Sequence, residues 1–212
     1  MRVRMPRLMD MGLEKLNSLM LEMATLSEDA VAEAIEAYHT GKRTREVYEW
    51  SDRLRQLHRQ VSELSIELIA RYQPVATDLR YIKACFEISY GFFRFGRYAH
   101  DIVEVLEMFG DLSKCDHTKV NETAKKTQEM IRMSIDAFTR KDVELARQIP
   151  AMDDIVDERY RKNLREVING TGDMKCPLSG TLILRYLERI ADHATYIAES
   201  VVYIVTGVEP SS

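Results

Sequence analysis

Apolar residues recur at alternating steps of four and three along the last long segment of the chain, a spacing that places them on one face of an α-helix. The same pattern occurs earlier, because subtracting 95 from each of these residue numbers again gives an apolar residue at every step. A helical pattern that occurs twice in this way indicates an internal duplication. The later stripe consists of Ile183, Leu187, Ile190, Ala194, Ile197, Val201 and Ile204, and the earlier stripe of Ile88, Phe92, Phe95, Ala99, Ile102, Leu106 and Phe109.

Glycine and proline residues mark the ends and the starts of the predicted helices. Gly41, Gly110 and Gly207 stand where helices should end, because glycine adopts the left-handed C-terminal cap without a Cβ clash. Pro74 and Pro177 mark starts or breaks, since proline has no amide hydrogen to donate inside a helix. Between these marks the apolar residues keep helical spacing, without sustained alternation of period two. The pattern predicts six helices, over residues 8–40, 43–72, 76–109, 118–140, 142–169 and 177–206.

The predicted fold class is all-α, with two tandem, pseudo-symmetric three-helix bundles. Three antiparallel helices are the smallest bundle that closes a core, and each copied stripe supplies the central face of one bundle. Residues 1–110 then form the first bundle and residues 118–207 the second, joined by a polar connector over Asp111–His117. Pro150 falls inside the fifth predicted helix, so that either this helix kinks or a new helix begins there.

The composition excludes several classes of function. Of the 212 residues 45% are hydrophobic, which is enough to build a substantial core. A formal net charge of -4 disfavours nucleic-acid binding, which usually needs a concentrated basic face. The longest apolar runs are too short to span a membrane, and no apolar signal-peptide region is present. Because Cys85, Cys115 and Cys176 lie far apart without CxxC spacing, we expect no disulfide framework, no zinc knuckle and a reducing, cytoplasmic location.

Two long motifs resemble signatures of one protein family. The segment QPVATDLR at residues 73–80 resembles the QPVAxDLR signature of the PhoU family. The segment LERIADHA at 187–194, followed by IAE at 197–199, resembles the LERIGDHAxxIAE signature of the same family, with Ala191 where glycine is usual. The resemblance covers nearly the whole chain, including the duplicated three-helix plan.

The resemblance has consequences for function. It implies a cytoplasmic regulator of phosphate uptake, associated with a phosphate ABC transporter and with a sensor histidine kinase that controls phosphate-responsive genes. It also implies metal clusters on E/DxxxD motifs of the bundles. We further expect a homodimer that has no membrane span of its own and meets the membrane through its partner.

Two pairs of carboxylates stand beside the apolar stripe of the second repeat. Glu188 and Asp192 are four residues apart on the sixth predicted helix, and Asp153 and Asp157 have the same spacing on the fifth. Side chains at this spacing share one helix face, where like charges repel by about 0.2–0.5 kcal/mol. If the two helices are neighbours, the four carboxylates converge and a bound cation would neutralise them. His193 is a fifth candidate ligand for this metal ion or multinuclear cluster, whose identity among iron, zinc, manganese and magnesium stays open.

The alternative interpretation is a solvated helix face, since acid pairs at the same spacing occur elsewhere in the chain, as at Asp29 and Glu33. The first repeat favours a specific site in the second, because its four corresponding residues are not acidic. They are Ser51, Arg55, Phe93 and Arg97. Arginine stays protonated in proteins and repels a cation. We therefore predict metal in the second bundle only, with Arg55 and Arg97 facing water, paired with Asp52 or Asp101, or facing an anionic partner.

Catalysis receives no support from the sequence. Oxidative di-iron bundles use a Glu-x-x-His step, whereas His193 follows Asp192 directly and lies five residues after Glu188. No nucleophile with a partner base, phosphate-binding glycine loop or dinucleotide fingerprint occurs. We therefore predict that the protein is not an enzyme. Two hypotheses remain: a metal-binding regulatory adaptor that docks on a transporter or sensor kinase, and a PhoU-like accessory module of another transport system, such as a cation channel or an inorganic phosphate permease.

Overall fold

The structure is a computed structural model that describes residues 8–42 and 44–208. These residues form six long helices and one short helix, with no strand among them. The all-α prediction is confirmed. The predicted first bundle also included residues 1–7, and the predicted second helix began at residue 43, which lie outside the described residues. The helices are α1 (Leu8–Thr40), α2 (Glu46–Tyr72), α3 (Ala76–Phe109), α4 (Thr118–Arg140), α5 (Val143–Ala146), α6 (Ile149–Asn169) and α7 (Lys175–Thr206).

The fifth predicted helix is divided in the structure. The Asp142 carboxylate accepts a hydrogen bond from the backbone N–H of Leu145 at 3.0 Å and so caps the short helix α5. After a two-residue break, α6 begins at Ile149 with Pro150 in its first turn. Proline suits this position because the first amide hydrogens of a helix have no acceptor within the helix. Pro150 therefore starts a helix instead of kinking one.

The helices pack as two bundles with the same plan. Helices α1, α2 and α3 pack on one another in the first bundle, and α4, α6 and α7 do so in the second, where α5 contacts α4 and α7. The two bundles meet where α3 packs against α7 and where α1 packs against α4. This arrangement confirms the predicted pair of three-helix bundles.

The two copied stripes form the centre of the molecule. All seven residues of the α7 stripe are buried, whereas the α3 stripe becomes only partly buried at its end, at Leu106 and Phe109. Helices α3 and α7 run antiparallel, because Arg80 near the start of α3 donates from Nε to the carbonyl oxygen of Ile204 near the end of α7, at 3.4 Å. Each central helix therefore packs against its own bundle and against the other one. Within the described residues, no helix is long and apolar enough to cross a membrane.

A disulfide joins Cys115 to Cys176, with Cα atoms 5.4 Å apart. The expectation that the chain has no disulfide was therefore wrong. The bond ties the connector between the bundles to the first turn of α7, where Lys175 Nζ also donates to the carbonyl oxygen of Asp111 at 2.7 Å. Helices α4 to α6 bring the chain back to the connector, so that cysteines 61 positions apart meet. Spacing along the sequence contains no signal for such a pair.

Candidate metal centre

The four predicted carboxylates stand on the two packed helices α6 and α7. On α6 the buried residues Ile149, Val156 and Asn163 form a narrow stripe at seven-residue spacing, and Asp153 and Asp157 flank it. This placement follows from the 3.6-residue period of the helix, which turns positions beside a buried stripe toward the neighbouring helix. The local sequence of α6 thus carries its two carboxylates to the edge of the contact with α7.

Three of the carboxylates come together in the structure. One oxygen from each of Asp153, Asp157 and Asp192 lies within 4.8 Å of the corresponding oxygens of the other two. The fourth, Glu188, is buried one turn before Asp192 on α7 and is close enough to raise the pKa of Asp153 by its charge. The four residues therefore form one electrostatic cluster, with three aspartates at its centre.

Arginines on the same helices compensate part of the negative charge. The pairs are Arg161 with Asp157 at 2.6 Å, Arg189 with Asp192 at 2.9 Å, and Arg185 with Glu188. Sequence reasoning did not single out Arg161 or Arg185, although spacings of three and four residues between an arginine and an acid are a recognisable helix signal.

Three carboxylate oxygens in this cluster have no hydrogen-bond partner. These atoms are Asp153 Oδ1, Asp157 Oδ1 and Glu188 Oε2, and all three are buried. A buried polar atom without a partner costs about 1–3 kcal/mol, and more if it is charged, so that native proteins rarely leave one unsatisfied. Oxygen donors are the ligands that hard and borderline cations prefer. The donor set therefore fits a cation that would satisfy these atoms.

The pKa values of the cluster show the same excess of negative charge. Burial, followed by the charges of Asp192 and Asp157, raises the pKa of Asp153 to about 7. Burial and the charge of Asp192 also raise the pKa of Glu188 above its ordinary value. Carboxylates this close ionise together only when a counter-charge is present. Below about pH 7 a proton on Asp153 relieves part of the repulsion in the metal-free protein, and a bound cation would replace it.

The structure does not bring His193 to the carboxylates. Its ring packs against the rings of Tyr90, Tyr98 and Tyr196 of α3 and α7, with centroids 5.6–5.9 Å apart. Successive residues of a helix point about 100° apart, so that His193 turns toward α3 while Asp192 turns toward α6. Burial and the charge of Arg94 lower the pKa of His193 to about 4. Of the five predicted ligands, His193 is therefore the one that the fold separates from the others.

The corresponding positions of the first bundle contain no comparable cluster. Arg97 pairs with Asp101 at 2.6 Å, and Arg55 pairs with Asp52 at 3.6 Å, as expected from the sequence. Phe93 stacks on a histidine ring of α2, with centroids 5.8 Å apart. Within residues 8–42 and 44–208, the three aspartates of the second bundle are the only group of three or more candidate metal ligands.

The two halves of the chain match the same family model. This model, described as the PhoU domain, matches residues 20–106 and again residues 120–201. Both matches lie inside the bundle bounds expected from the sequence, 1–110 and 118–207. The duplication seen in the apolar stripes is therefore a duplication of one domain type.

Relatives from several organisms match nearly the whole chain. It is 32% identical over 207 residues to a phosphate-specific transport system accessory protein PhoU homolog of Pseudomonas aeruginosa, a match that covers 93% of this chain and 85% of the relative. It is also 32% identical over 200 residues to a phosphate-specific transport system accessory protein PhoU homolog 1 of Thermotoga maritima, covering 91% of this chain and 86% of that protein.

Solved structures show the same architecture. The crystal structure of PhoU from Pseudomonas aeruginosa superimposes with a TM-score of 0.87 at 31% sequence identity, covering 94% of this chain and 99% of the other. The phosphate transport system regulatory protein PhoU from Streptococcus pneumoniae superimposes with a TM-score of 0.77 over 96% of this chain and 100% of the other. At 19% identity, the second likeness supports the fold alone.

Proposed function

The chain belongs to the PhoU family, and from this premise we propose that it is a regulatory adaptor of phosphate uptake and of phosphate-responsive signalling. The observation that carries the proposal is the match of both bundles, over more than nine-tenths of the chain, to accessory proteins of phosphate-specific transport systems. The proposed role is regulatory and not catalytic. Its partners are a phosphate ABC transporter, a sensor histidine kinase, or both. The proposed location is the cytoplasm, and the proposed oligomer is a homodimer.

The metal site is a second part of this proposal. Asp153, Asp157 and Asp192 would hold the cation, and Glu188 would ligate it or accept a hydrogen bond beside it. Three buried carboxylate oxygens without partners support this assignment. A bound iron, zinc, manganese or magnesium ion, alone or in a cluster, would neutralise the carboxylates. The cation and its carboxylate ligands would then hold α6 against α7. This contact would fix the arrangement of the helices in the second bundle when the protein docks on its partner.

Deletion of the gene tests the regulatory role. A clean deletion strain should express phosphate-responsive genes in phosphate-replete medium, because the family resemblance implies negative control. A plasmid copy of the gene should restore repression. Normal repression together with normal phosphate uptake in the deletion strain would contradict the proposal. That result would favour the alternative of an accessory module for a cation channel or an inorganic phosphate permease.

Elemental analysis of purified protein tests the metal site. The variant Glu188→Gln/Asp192→Asn should lose most of its tightly bound metal, because amide oxygens carry no negative charge for a cation. The matched control is Glu63→Gln/Glu67→Gln, an exposed acid pair at the same spacing on α2 that should keep the metal content unchanged. If the first variant retains its metal, the site assignment is wrong.

A further inference from the structure

An aromatic groove lies between the two bundles, beside the contact of α3 with α7. Phe86, Tyr90, Tyr196 and Tyr203 form its walls, and Gly91 lies among the residues that line it. Its volume is about 600 Å³. The metal-site proposal uses none of these residues, and all of them stand on the helices that join the two halves of the molecule.

The side chains of the groove are more exposed than aromatic residues of a core. Phe86 is 44% exposed, Tyr90 is 46% exposed and Tyr196 is 56% exposed. Grouped surface aromatics of this kind are typical of binding sites, because they bury a large area while losing little conformational freedom. Half-exposed walls suit a ligand that covers the groove from outside, whereas a small-molecule pocket encloses most of its ligand. The geometry favours a protein partner.

The charged groups of the groove favour a cation. Lys83 pairs with Glu87 at 3.2 Å, and its ammonium group lies 4.5 Å from the centroid of the Tyr203 ring. Glu199 also lines the groove, but among the described residues it forms no ion pair. Burial raises the pKa of Glu199 above its ordinary value, and no positive charge opposes this effect.

His58, a histidine of the groove, does not add to the positive charge there, because burial lowers its pKa below the ordinary value. The residues that line the groove include two carboxylates, Glu87 and Glu199, and one cation, Lys83. The electron-rich faces of the aromatic rings add to the preference of this lining for positive charge.

We propose that the aromatic groove is the docking site for an arginine side chain presented by a partner protein. A guanidinium group stacks on aromatic rings and forms two parallel hydrogen bonds with a carboxylate, here that of Glu199. The chain already contains the stacking part of this contact, since the Arg94 guanidinium lies 4.5 Å from the centroid of the Tyr98 ring and 5.9 Å from that of Tyr90. Apolar residues beside the partner's arginine cover Phe86 and Tyr196. This inference rests on the proposed adaptor function and identifies the surface on which the adaptor docks.

Binding of a small arginine probe tests the chemistry of the groove. N-benzoyl-argininamide should shift the ring signals of Phe86, Tyr90 and Tyr196 in NMR spectra, and the neutral N-benzoyl-citrullinamide should bind about tenfold more weakly because it has no positive charge. Glu199→Gln should weaken binding of the arginine probe by a similar factor and leave binding of the citrulline probe unchanged. The matched control, Glu63→Gln on the exposed face of α2, should change neither. Equal binding of both probes, or no effect of Glu199→Gln, overturns the proposal.

A strain that carries Tyr196→Ser/Glu199→Gln tests the partner. This variant should keep its metal content and its melting temperature and yet derepress phosphate-responsive genes to the level of the deletion strain. Wild-type repression by this variant, in an organism whose deletion strain is derepressed, overturns the docking site. If the deletion strain has no phosphate phenotype, the proposed function fails. The probe measurements then still decide whether the groove binds an arginine side chain. Loss of a dimer on sedimentation of the variant would show that a second copy of the chain covers the groove, which also overturns the proposal.

Discussion

At the scale of single residues, the carboxylate cluster contains both oxygens that pair with arginines and buried oxygens that have no partner. Its arginine partners compensate the charge of one oxygen on each of Asp157, Asp192 and Glu188, while other oxygens stay buried without a partner. Among the described residues Asp153 has no such arginine, and burial, followed by the charges of Asp192 and Asp157, raises its pKa to about 7. In the proposed metal site, a cation would take the place of the proton that Asp153 binds.

The raised pKa of Asp153 predicts how the stability of the metal-free protein depends on pH. The pKa of Asp153 is about 7 in the folded protein and near 3.8 in the unfolded chain, so that between these values the folded state binds more protons. Stability must therefore fall as pH rises through this window and level off above it. In the presence of a chelator, the melting temperature measured by circular dichroism should be higher at about pH 5 than at about pH 7.5.

Asp153→Asn separates this effect from the titration of other groups. The asparagine side chain carries no charge at either pH, so that the variant should lose much of the fall in melting temperature. A pH dependence identical to that of the wild-type protein would show that Asp153 does not carry the raised pKa. Excess metal should reverse the trend in the wild-type protein, because protons and the cation compete for the same oxygens.

At the scale of the helices, α3 and α7 have the same apolar pattern but different polar faces. The α7 face carries Glu188 and Asp192, whereas the α3 face carries Phe93 and Arg97 at the corresponding positions. The shared stripe conserves the packing of the two bundles, because only apolar positions are needed to form the core. The divergent faces restrict the candidate metal site to the second bundle.

Two glycines differ in the space around them, since Gly91 stands where α3 approaches α7 closely and Gly180 stands in open space. A Cβ atom on Gly91 of α3 would lie 2.9 Å from side-chain atoms of the buried Ile197 of α7, whereas a Cβ atom on Gly180 would meet nothing within 4 Å. Alanine raises helix stability at either position by about 0.5–1 kcal/mol. Gly180→Ala should therefore stabilise the protein.

Gly91→Ala should be the less stable of the two variants, by about 1–3 kcal/mol, because the extra methyl group overpacks the contact between α3 and α7. Urea unfolding of the two purified variants measures this difference directly. Equal stabilities would mean that Ile197 moves aside without a cost in the free energy of unfolding. The close approach at Gly91 would then not limit packing between the bundles.

At the scale of the whole molecule, the disulfide links the connector between the bundles to the start of a central helix. The closed loop spans 61 positions and contains α4, α5 and α6. Cross-linking a loop of this length restricts the unfolded chain and stabilises the folded state by about 4 kcal/mol in the chain-entropy description. In a reducing cytoplasm, the proposed location, the same protein would lack this contribution.

Reduction should therefore lower the stability of the protein without changing its fold. With dithiothreitol, or in the variant Cys115→Ser/Cys176→Ser, the urea midpoint should fall while the helical circular dichroism spectrum is retained, because Cys115 is only partly buried at the edge of the core. Thiol titration in denaturant should detect Cys85 alone before reduction and all three cysteines after it. Three reactive thiols before reduction would show that the bond does not form in the purified protein.

Much of the fold and part of the site could be predicted from local patterns. The α7 stripe from Ile183 to Ile204 is buried as its spacing predicts, and the arginine pairs at Arg55 and Arg97 appear where the alignment of the repeats places them. Both depend on interactions within a few residues along a helix. The sequence does not decide whether Pro150 kinks a helix or starts one, because a proline is compatible with both positions. The outcome depends on how the chain leaves α4.

The sequence by itself determined the six long helices, the buried stripe of α7 and the two pairs of acids, because the period of a helix is a local property that residue spacing records. Only the tertiary structure decided which groups meet across the fold. It brought Asp153 and Asp157 to Asp192, turned His193 into the aromatic contact with α3, and joined Cys115 to Cys176. These outcomes depend on how the helices pack against one another, and the distance between two residues along the chain does not specify their distance in space.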